Sequence, residues 1–278
     1  MGKLTRRGFL VGALGAASAT PAAVWYARVY GPRDLEVVRH SIAIPNLAPR
    51  LDGLRAVQIS DLHLLSLREV HLRAIQLVQG LAPDVVFVTG DLVDQASAIP
   101  QLVELLHSLS PPLGIRAIPG NWDNSAGAVA ALKKALPGAG GRLLVNESHQ
   151  LESGLWVAGV DDPASWRDDV YAAARDIPTK AARILLAHSP DIVHSQDFWA
   201  HPELRFGLIL AGHTHGGQVN LPILNGAWLH SGLAGDYTEG FFDVYGSRMY
   251  VNRGIGTTTM NIRIAARPEI TLFTFHPA

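Results

Sequence analysis

Residues 54–94, LRAVQISDLHLLSLREVHLRAIQLVQGLAPDVVFVTGDLVD, carry the pattern that decides the fold. The apolar runs 54–60 and 84–90 are rich in β-branched residues and end at polar side chains, which predicts two strands. Between them, apolar residues recur at helical spacing, at Leu67, Val70, Ala74, Leu77 and Leu81. A strand, a helix and a strand in this order predict two parallel strands joined by a crossover helix.

The same alternation continues outside this unit. Further strands are predicted at residues 35–44, 115–120, 155–160, 183–188, 206–212, 248–254 and 269–275. Helices are predicted from the spacing of Ile99, Leu102, Val103 and Leu106, and at about 125–136 and 166–175. No repeat, low-complexity tract or linker divides this part of the sequence. We therefore expect one α/β domain with two sheets over residues 35–278.

Composition narrows the possible functions. The chain has 278 residues, 48% of them hydrophobic, which is enough for a sizeable core. Its formal net charge is -1 without a long basic run, which argues against binding to nucleic acid through a basic face. There is no Cys, so disulfides and thiolate metal sites are excluded. With 12 His, a metal site would use imidazole, carboxylate and amide ligands, which suit Mn, Fe, Zn or Mg.

Residues 1–30 have the composition of a targeting segment. Arg6 and Arg7 precede an apolar run rich in Ala and Gly, and no acidic residue occurs in it. The paired arginines predict a twin-arginine signal, read by that export machinery, with Ala17-Ser18-Ala19 as a candidate cleavage site. An uncleaved membrane anchor and an ordinary basic helix are the alternatives. Export would place the protein in the periplasm or cell envelope, or on the outer side of a membrane.

Ligand-type side chains follow five of the apolar runs, at Asp61, His63, Asp91, Asp94, Asn121, His188, His213 and His215. A single Asp after a strand is usually a turn or cap residue, but five successive strand ends of this kind are unusual. Strand ends gather at one edge of an α/β sheet, so these side chains are expected to converge. If the backbone is extended, Asp61 and His63 point to the same side, as do His213 and His215.

Taken in chain order, these residues resemble the motifs of a known family. Asp61-x-His63, Gly90-Asp91, Gly120-Asn121, His188 and Gly212-His213-x-His215 are similar to the five motifs of calcineurin-like metallophosphoesterases. The longer stretches GHTHGGQV and VNRGIGTTT resemble bacterial members that carry export signals. The resemblance implies a four-layer α-β-β-α sandwich, with two mixed β-sheets flanked by helices.

The resemblance also implies a site with two divalent metal ions, with Mn, Fe and Zn all open as their identity. One ion would be held by Asp61, His63 and His215, and the other by Asn121, His188 and His213. Asp91 would bridge the two ions, and Asp94 would orient a ligand His. Asp91, Asn121 and Asp94 are the expected catalytic residues. A hydroxide held between the ions would attack phosphorus, so no protein nucleophile is needed.

One residue departs from the family pattern. Relatives usually have Gly-Asn-His where this chain has Gly120-Asn121-Trp122, and that His can protonate the leaving group. An indole N–H donates a hydrogen bond but is not an acid at neutral pH. We therefore expect a preference for leaving groups that depart without a proton, such as phenolates or phosphate. Alternatively, Trp122 packs over the metals, and Asp123, His149 or His230 supplies the proton.

The candidate substrate contacts are Trp122, Asp123 and Arg253, with Arg263 as a further candidate; a structural role for Arg253 is equally open. Three functions fit these residues. The first is a phosphodiesterase at the cell envelope. The second is a pyrophosphatase on a nucleotide-linked lipid such as UDP-2,3-diacylglucosamine, with association to a membrane surface left open. The third is a metal-binding protein in which Trp122 has weakened or abolished catalysis.

Overall fold

The computed structural model describes residues 21–201, 203–221, 226–227 and 237–278, and two six-stranded sheets form its centre. The strands of the first sheet are β1 Glu36–Ile44, β2 Leu54–Ile59, β3 Val85–Thr89, β4 Ile115–Ile118, β5 Gly141–Leu143 and β14 Glu269–Pro277. They lie in the order β1-β14-β2-β3-β4-β5. Strands β2 to β5 are mutually parallel, and β14 runs antiparallel to β2, so the sheet is mixed.

The second sheet has the order β12-β13-β9-β8-β7-β6. Its strands are β6 Glu147–Gln150, β7 Trp156–Gly159, β8 Arg183–Leu186, β9 Leu208–Ala211, β12 Gly240–Val244 and β13 Ser247–Val251. The four central strands are parallel, and the edge strands β6 and β12 are antiparallel to their neighbours. A separate two-stranded ribbon pairs β10 Asn220–Leu221 with β11 Gly226–Ala227.

Helices cover the outer faces of both sheets. They are α1 Glu69–Leu81, α2 Ile99–His107, α3 Asn121–Ser125, α4 Val129–Ala135, α5 Val170–Ala174 and α6 Gln196–Ala200. Short 3-10 helices occur at Gly31–Arg33, Pro49–Leu51, Ala96–Ala98, Leu136–Ala139, Pro163–Ser165, Pro190–His194 and His215–Gly217, and a π-helix at Tyr26–Tyr30. Within the described residues, no helix combines the length and the apolar character needed to cross a bilayer.

The core consists of three apolar layers that follow from strand alternation. In β3, Val86 and Val88 pack against α1 and α2, whereas Val85 and Phe87 point to the second sheet. Buried aromatic rings, among them Phe273, fill the layer between the sheets, and each such ring contributes about 1.5–3 kcal/mol through burial. Outside the second sheet, a third layer packs its strands against α5 and α6. This arrangement confirms the four-layer α-β-β-α sandwich expected from the sequence.

The sequence located the long elements and missed the short ones. All nine predicted strands and the crossover helix are present, and β2, β3 and β4 are parallel as predicted. The strands β5, β6, β10, β11 and β12 were not predicted. With sequences GRL and ESHQ, β5 and β6 lack an apolar pattern, and pairing with a neighbouring strand determines their conformation. The helix predicted at about 125–136 is the shorter α4, and α3, which precedes it, was not predicted.

Candidate metal centre

The structure brings all seven predicted ligand residues together where the two sheets meet. Asp61, His63 and Asp91 follow β2 and β3, and Asn121 begins α3 after β4, so the first sheet supplies these four side chains. The second sheet supplies three imidazoles from the ends of β8 and β9, those of His188, His213 and His215. Because the carboxyl ends of parallel strands share an edge, two facing sheets place their polar ends around one point.

Two groups of side chains could each hold a metal ion. In the first group, ligand atoms of Asp61, His63 and His215 lie within 4.8 Å of one another. The Nε2 atoms of His63 and His215 are 3.0 Å apart, and His215 Nε2 lies 3.4 Å from Asp61 Oδ1. All three residues are buried.

The second group contains Asp91, His188 and His213, whose ligand atoms also lie within 4.8 Å of one another. The Oδ1 atom of Asn121 lies 3.0 Å from both His188 Nε2 and His213 Nδ1. An amide oxygen and two ring nitrogens therefore converge with the Asp91 carboxylate.

Asp91 lies between the two groups. Its Oδ2 atom is 3.5 Å from His63 Nε2 in the first group and 3.2 Å from His188 Nε2 in the second. Its Oδ1 atom accepts a hydrogen bond of 2.8 Å from the backbone N–H of Trp122, which fixes the carboxylate plane. One carboxylate oxygen thus faces both groups, as a bridging ligand must.

The electrostatics of the cluster suit cations. Burial, reinforced by the nearby Asp91, raises the pKa of Asp61. Burial also acts to raise the pKa of Asp91, but the neighbouring imidazoles, led by His188, lower that pKa well below its usual range. Against the effect of burial, the carboxylates raise the pKa of His63 and His188. Divalent ions would take the place of these imidazole protons, so the donor set fits Mn, Fe or Zn.

Hydrogen bonds behind the cluster orient its imidazoles. His63 Nδ1 lies 2.8 Å from Asp94 Oδ1, and His188 Nδ1 lies 2.9 Å from the Thr89 carbonyl oxygen. A donating Nδ1–H leaves the Nε2 lone pair of each ring free to face the centre. The structure thus places Asp94 where the sequence expected it, against a ligand-type His.

The backbone at the motif pairs differs from the extended form that was expected. Positive φ angles occur at Asp61 (52°), His63 (46°), His213 (71°) and His215 (52°), so the expectation of alternate side chains on an extended chain was wrong. Left-handed turns instead send Asp61 and His63 into one group, and His213 and His215 into different groups. Non-glycine residues in this region cost about 1–3 kcal/mol each and cluster at functional sites.

Glycines allow the close packing around the centre. A Cβ atom at Gly120 would overlap Asp91 Oδ1, and one at Gly212 would overlap the Ser60 hydroxyl. Any larger residue at these two positions would displace a candidate ligand or the residue next to it. Close contact with the candidate ligands or their neighbours therefore explains why Gly occupies positions 120 and 212.

Trp122 packs against the centre. Its ring is half-buried and meets the His63 ring edge to face, with centroids 5.6 Å apart and an angle of 86°. The indole thus borders the first group and brings no titratable side chain to it.

Asp123 is not a substrate contact, contrary to the sequence prediction. The residue is fully buried, and its carboxylate accepts hydrogen bonds from the backbone N–H groups of Gly120, Leu92 and Val93. Burial and the nearby Asp91 raise its pKa to about 7. Since its oxygens are engaged by the backbone, Asp123 fixes the 91–93 and 120–124 loops relative to each other and cannot reach a substrate.

Arg253, a predicted phosphate contact, is engaged by carboxylates in the structure. Its guanidinium lies 2.6 Å from Glu269, 2.8 Å from Glu36 and 3.4 Å from Glu239. Three carboxylates surround one cation, which leaves little positive charge for a phosphate. These ion pairs favour the structural role considered for Arg253.

Arg263 has a supporting place behind the centre. It is buried, with 1% of its surface exposed, and donates to the carbonyl oxygens of Gly254, Gly256 and Ala266. Its Nη2 atom also lies 3.1 Å from His215 Nδ1. Burial lowers the pKa of Arg263 to about 9. Arg263 is therefore placed to orient the ring of His215, a candidate ligand.

The structure describes one of the two histidines considered as proton donors. His149 lies in the middle of the edge strand β6, paired with Val157, and not at the carboxyl end of a strand. His230 lies outside the described residues. Sequence reasoning missed Arg68, which lies beside Asp94 in a cavity at the centre, because Arg68 follows no strand and belongs to no motif.

Comparison with known proteins agrees with this geometry. Residues 54–217 match the family model of calcineurin-like phosphoesterases. An uncharacterized metallophosphoesterase of Bacillus subtilis, YkuE, is 32% identical over 99% of this chain and 98% of its own length. The UDP-2,3-diacylglucosamine pyrophosphatase LpxG of Chlamydia trachomatis is 29% identical over 91% of this chain and 93% of its own.

A third relative is a transmembrane protein with a metallophosphoesterase domain from Danio rerio. It is 32% identical over 88% of this chain, which spans 58% of the relative. The matched region 54–217 contains all seven side chains of the centre, and the similarity to YkuE extends over nearly the whole chain. The chain belongs to the calcineurin-like phosphoesterase family and is a metal-dependent hydrolase of phosphoesters.

Proposed function

We propose that the chain hydrolyses phosphodiester or pyrophosphate bonds with two divalent ions held between its two sheets. The position of Asp91 carries this proposal, because one of its oxygens lies 3.5 Å from His63 and 3.2 Å from His188. When bound, such ions lower the pKa of water and offset charge on the phosphoryl oxygens. No cysteine is present, and the seven converging side chains include no hydroxyl nucleophile.

The protein's own contribution is to hold these groups in place. Asp94 holds the ring of His63, the Thr89 carbonyl holds His188, and the Trp122 N–H holds Asp91. Fixed ligands and a buried site keep the reacting phosphoryl group in one orientation, which is a large part of the catalytic effect in phosphoryl transfer.

Trp122 favours a leaving group that needs no proton. The side chain beside His63 is an indole where relatives carry an acid, and Asp123 is occupied by backbone N–H groups. General acid catalysis is typically worth about 10²–10⁴-fold, most for alkoxides of high pKa. A phosphate leaving from a diphosphate link fits this site better than a simple alcohol. The name of the Chlamydia trachomatis relative, a pyrophosphatase on UDP-2,3-diacylglucosamine, supports the same class by similarity.

We further propose that the enzyme works at a membrane surface. Most of the exposed large hydrophobic side chains among the described residues come from residues 24–30 and 65–72 and from Met260. Leu65 and Met260 line the cavity that contains His63, and Arg28 and Val29 line the neighbouring one with Arg68. Trp25 and Tyr26 pack against Tyr30, with ring centroids 6.5 and 5.4 Å apart. Trp and Tyr next to basic residues such as Arg28 suit the interface of a bilayer.

Vesicle sedimentation tests the membrane proposal. Replacing Trp25, Tyr26 and Tyr30 together by Ser is expected to weaken binding to anionic vesicles, with turnover of a soluble substrate unchanged. Trp166→Ser is the matched control, since Trp166 is 87% exposed but lines a different cavity, with Asp168 and Asp191. Equal vesicle binding by the triple variant and wild type would refute a membrane role for this patch.

Export by the twin-arginine route, with action in the periplasm or cell envelope, is part of the same proposal. Its support is the sequence TRRGFL at residues 5–10, which lies outside the described residues. Replacing Arg6 and Arg7 by Lys is expected to retain the protein inside the cell, as fractionation with a tagged chain would reveal. An unchanged distribution would contradict export by this route.

Turnover of chromogenic and natural-type substrates tests the activity. With Mn²⁺ we expect hydrolysis of bis(p-nitrophenyl) phosphate and of a nucleoside diphosphate diester, and much slower hydrolysis of a dialkyl phosphodiester. Comparable rates on alkyl and aryl diesters would contradict the leaving-group argument. If wild type and Asp91→Ala were equally inert across metals and substrates, the catalytic proposal itself would fail.

A further inference from the structure

Arg68 lies beside the metal centre in a small cavity. The cavity has a volume of about 220 Å³, and His63 and Asp94 form the side that faces the centre. Arg68, Thr257 and Asn261 also line it. A guanidinium, a hydroxyl and an amide therefore lie next to a side chain of the candidate centre.

Arg68 interacts electrostatically with Asp94 across the cavity, but it is not locked in a direct salt bridge among the described residues. Its Nη1 atom donates to Thr257 Oγ1 at 3.3 Å and to Asn261 Oδ1 at 3.1 Å, and both acceptors are uncharged. Within the part of the chain that the structure describes, Arg68 forms no ion pair. Asp94, the acid that shares its cavity, is already hydrogen-bonded to His63.

Other arginines of the same region differ in this respect. Arg253 contacts three carboxylates, Arg267 pairs with Asp34 at 2.9 Å, and Arg33 lies 3.5 Å from Glu69. Arg68 is half-buried and lines a cavity, so a ligand in that cavity can come close to its guanidinium. An unpaired guanidinium in such a place favours an anion.

The surroundings of Arg68 extend this positive charge. A second cavity of about 310 Å³ shares Arg68 and Asn261 with the first and adds Arg28 and Arg33, with Glu69 as its acid. We call the two cavities together the arginine groove. Because Arg33 pairs with Glu69, the excess positive charge comes from Arg28 and Arg68 against Asp94, and it favours an anionic substrate.

The larger cavity elsewhere on the fold has the opposite charge. It has a volume of about 740 Å³ and follows the ends of β7 and β8, with Asp168, Asp169, Asp191 and Asp197 among its lining residues. We call it the acidic cavity. Phosphoryl groups would be repelled there, whereas the cavity of Arg68 attracts them and lies next to the centre.

We propose that Arg68 binds a second phosphoryl group of the substrate, next to the phosphoryl group that is hydrolysed at the metal centre. This inference rests on the proposed function and adds that the enzyme prefers diphosphate diesters to simple phosphodiesters. Arginine presents several N–H donors in a planar fork that matches two phosphate oxygens, and Thr257 and Asn261 hold that fork in place.

Steady-state kinetics on two substrates test the proposal. For Arg68→Gln we expect KM for a nucleoside diphosphate diester to rise about 10- to 100-fold, the range for losing a charged hydrogen bond. For bis(p-nitrophenyl) phosphate, which has one charge, we expect a change of less than about threefold. Arg68→Lys is expected to be intermediate, because it retains the charge but loses the fork.

A binding measurement and a control complete the design. Calorimetric titration with a non-hydrolysable methylene diphosphonate diester is expected to show the same loss of affinity in Arg68→Gln. Arg39→Gln, which replaces an arginine on β1 whose guanidinium donates to the Val37 carbonyl, is expected to match wild type in both assays.

The outcomes separate this inference from the proposed function. If wild type hydrolyses neither substrate, the proposed function fails. If wild type hydrolyses both and Arg68→Gln impairs both equally, Arg68 has a structural role and the inference is wrong. An unchanged KM together with weaker binding to anionic vesicles would assign Arg68 to the membrane and also overturn the inference.

Discussion

The acidic cavity and the arginine groove lie at the ends of different sheets and carry opposite charge. The acidic cavity follows β7 and β8 of the second sheet and is lined by four aspartates. The arginine groove follows β2 of the first sheet, with Arg68 unpaired by any described carboxylate. Strand ends gather polar residues in both places, but only one of the two suits a phosphorylated ligand.

The difference separates the residues that carry out the reaction from the residues that bind the substrate. The metal centre is built symmetrically, since each candidate group takes ligands from both sheets. Recognition is one-sided, because positive charge lies on the side of the first sheet. Changes in the centre are therefore expected to affect all substrates, and changes in either cavity to affect substrates according to their charge.

The largest effect is expected for Asp91→Ala. Its carboxylate is the group that faces both candidate groups, so its loss should lower kcat/KM by about 10³-fold or more on every substrate. Turnover of both substrates, together with circular dichroism to confirm folding, provides the measurement. A folded variant with more than a tenth of wild-type activity would mean that Asp91 does not join the two groups.

Asp94→Ala is expected to lose about 10- to 100-fold in metal affinity or activity, because Asp94 fixes the ring of His63. Asp94 also shares the cavity of Arg68, so removing its charge should not raise KM for a diphosphate substrate. Metal titration with KM measurement tests both statements. If KM for the diphosphate rose while metal affinity stayed constant, Asp94 would belong to recognition and not to the centre.

Trp122→His is expected to raise the rate on a dialkyl phosphodiester about tenfold relative to an aryl diester, since a positioned His can protonate an alkoxide. This rate gain is smaller than that of an optimally placed general acid, because the side chains around position 122 pack against an indole ring. Trp122→Phe is the matched control and should leave the ratio of rates unchanged. An unchanged ratio in Trp122→His would show that leaving-group choice does not depend on this position.

The smallest effect is expected in the acidic cavity. Asp168→Asn removes one charge there while its amide can still bond to Ser195, so KM for a diphosphate substrate should fall or change by less than about threefold. The comparison with Arg68→Gln is direct, since both variants remove one charge from a cavity. A rise in KM as large as that of Arg68→Gln would mean that the substrate's phosphates lie on the acidic side.

The convergence of the ligand residues could be predicted from the sequence because it depends on local patterns. Asp61 and Asp91 each follow a buried apolar strand, and a parallel arrangement of strands brings such positions together. The left-handed turns at these residues could not be predicted, since non-glycine residues adopt them only when surrounding contacts hold them there.

The roles of the remaining polar residues depend on partners that are distant in the chain. Arg253 pairs with Glu36, which lies 217 positions away, and nothing near Arg253 in the sequence indicates that its charge is neutralised. Asp123 accepts hydrogen bonds from the backbone N–H groups of residues 92 and 93. The sequence around Asp123 does not indicate that it has these partners. Arg68 differs from both in having uncharged partners, a property that only the folded chain reveals.

The metal-to-protein ratio of fully active enzyme tests the central claim most directly. Elemental analysis of protein titrated to maximal turnover is expected to give about two divalent ions per chain. The same titration of Asp91→Ala is expected to give fewer ions and no measurable turnover. Full activity of the wild type with one ion or fewer per chain would contradict a centre in which Asp91 joins two metals.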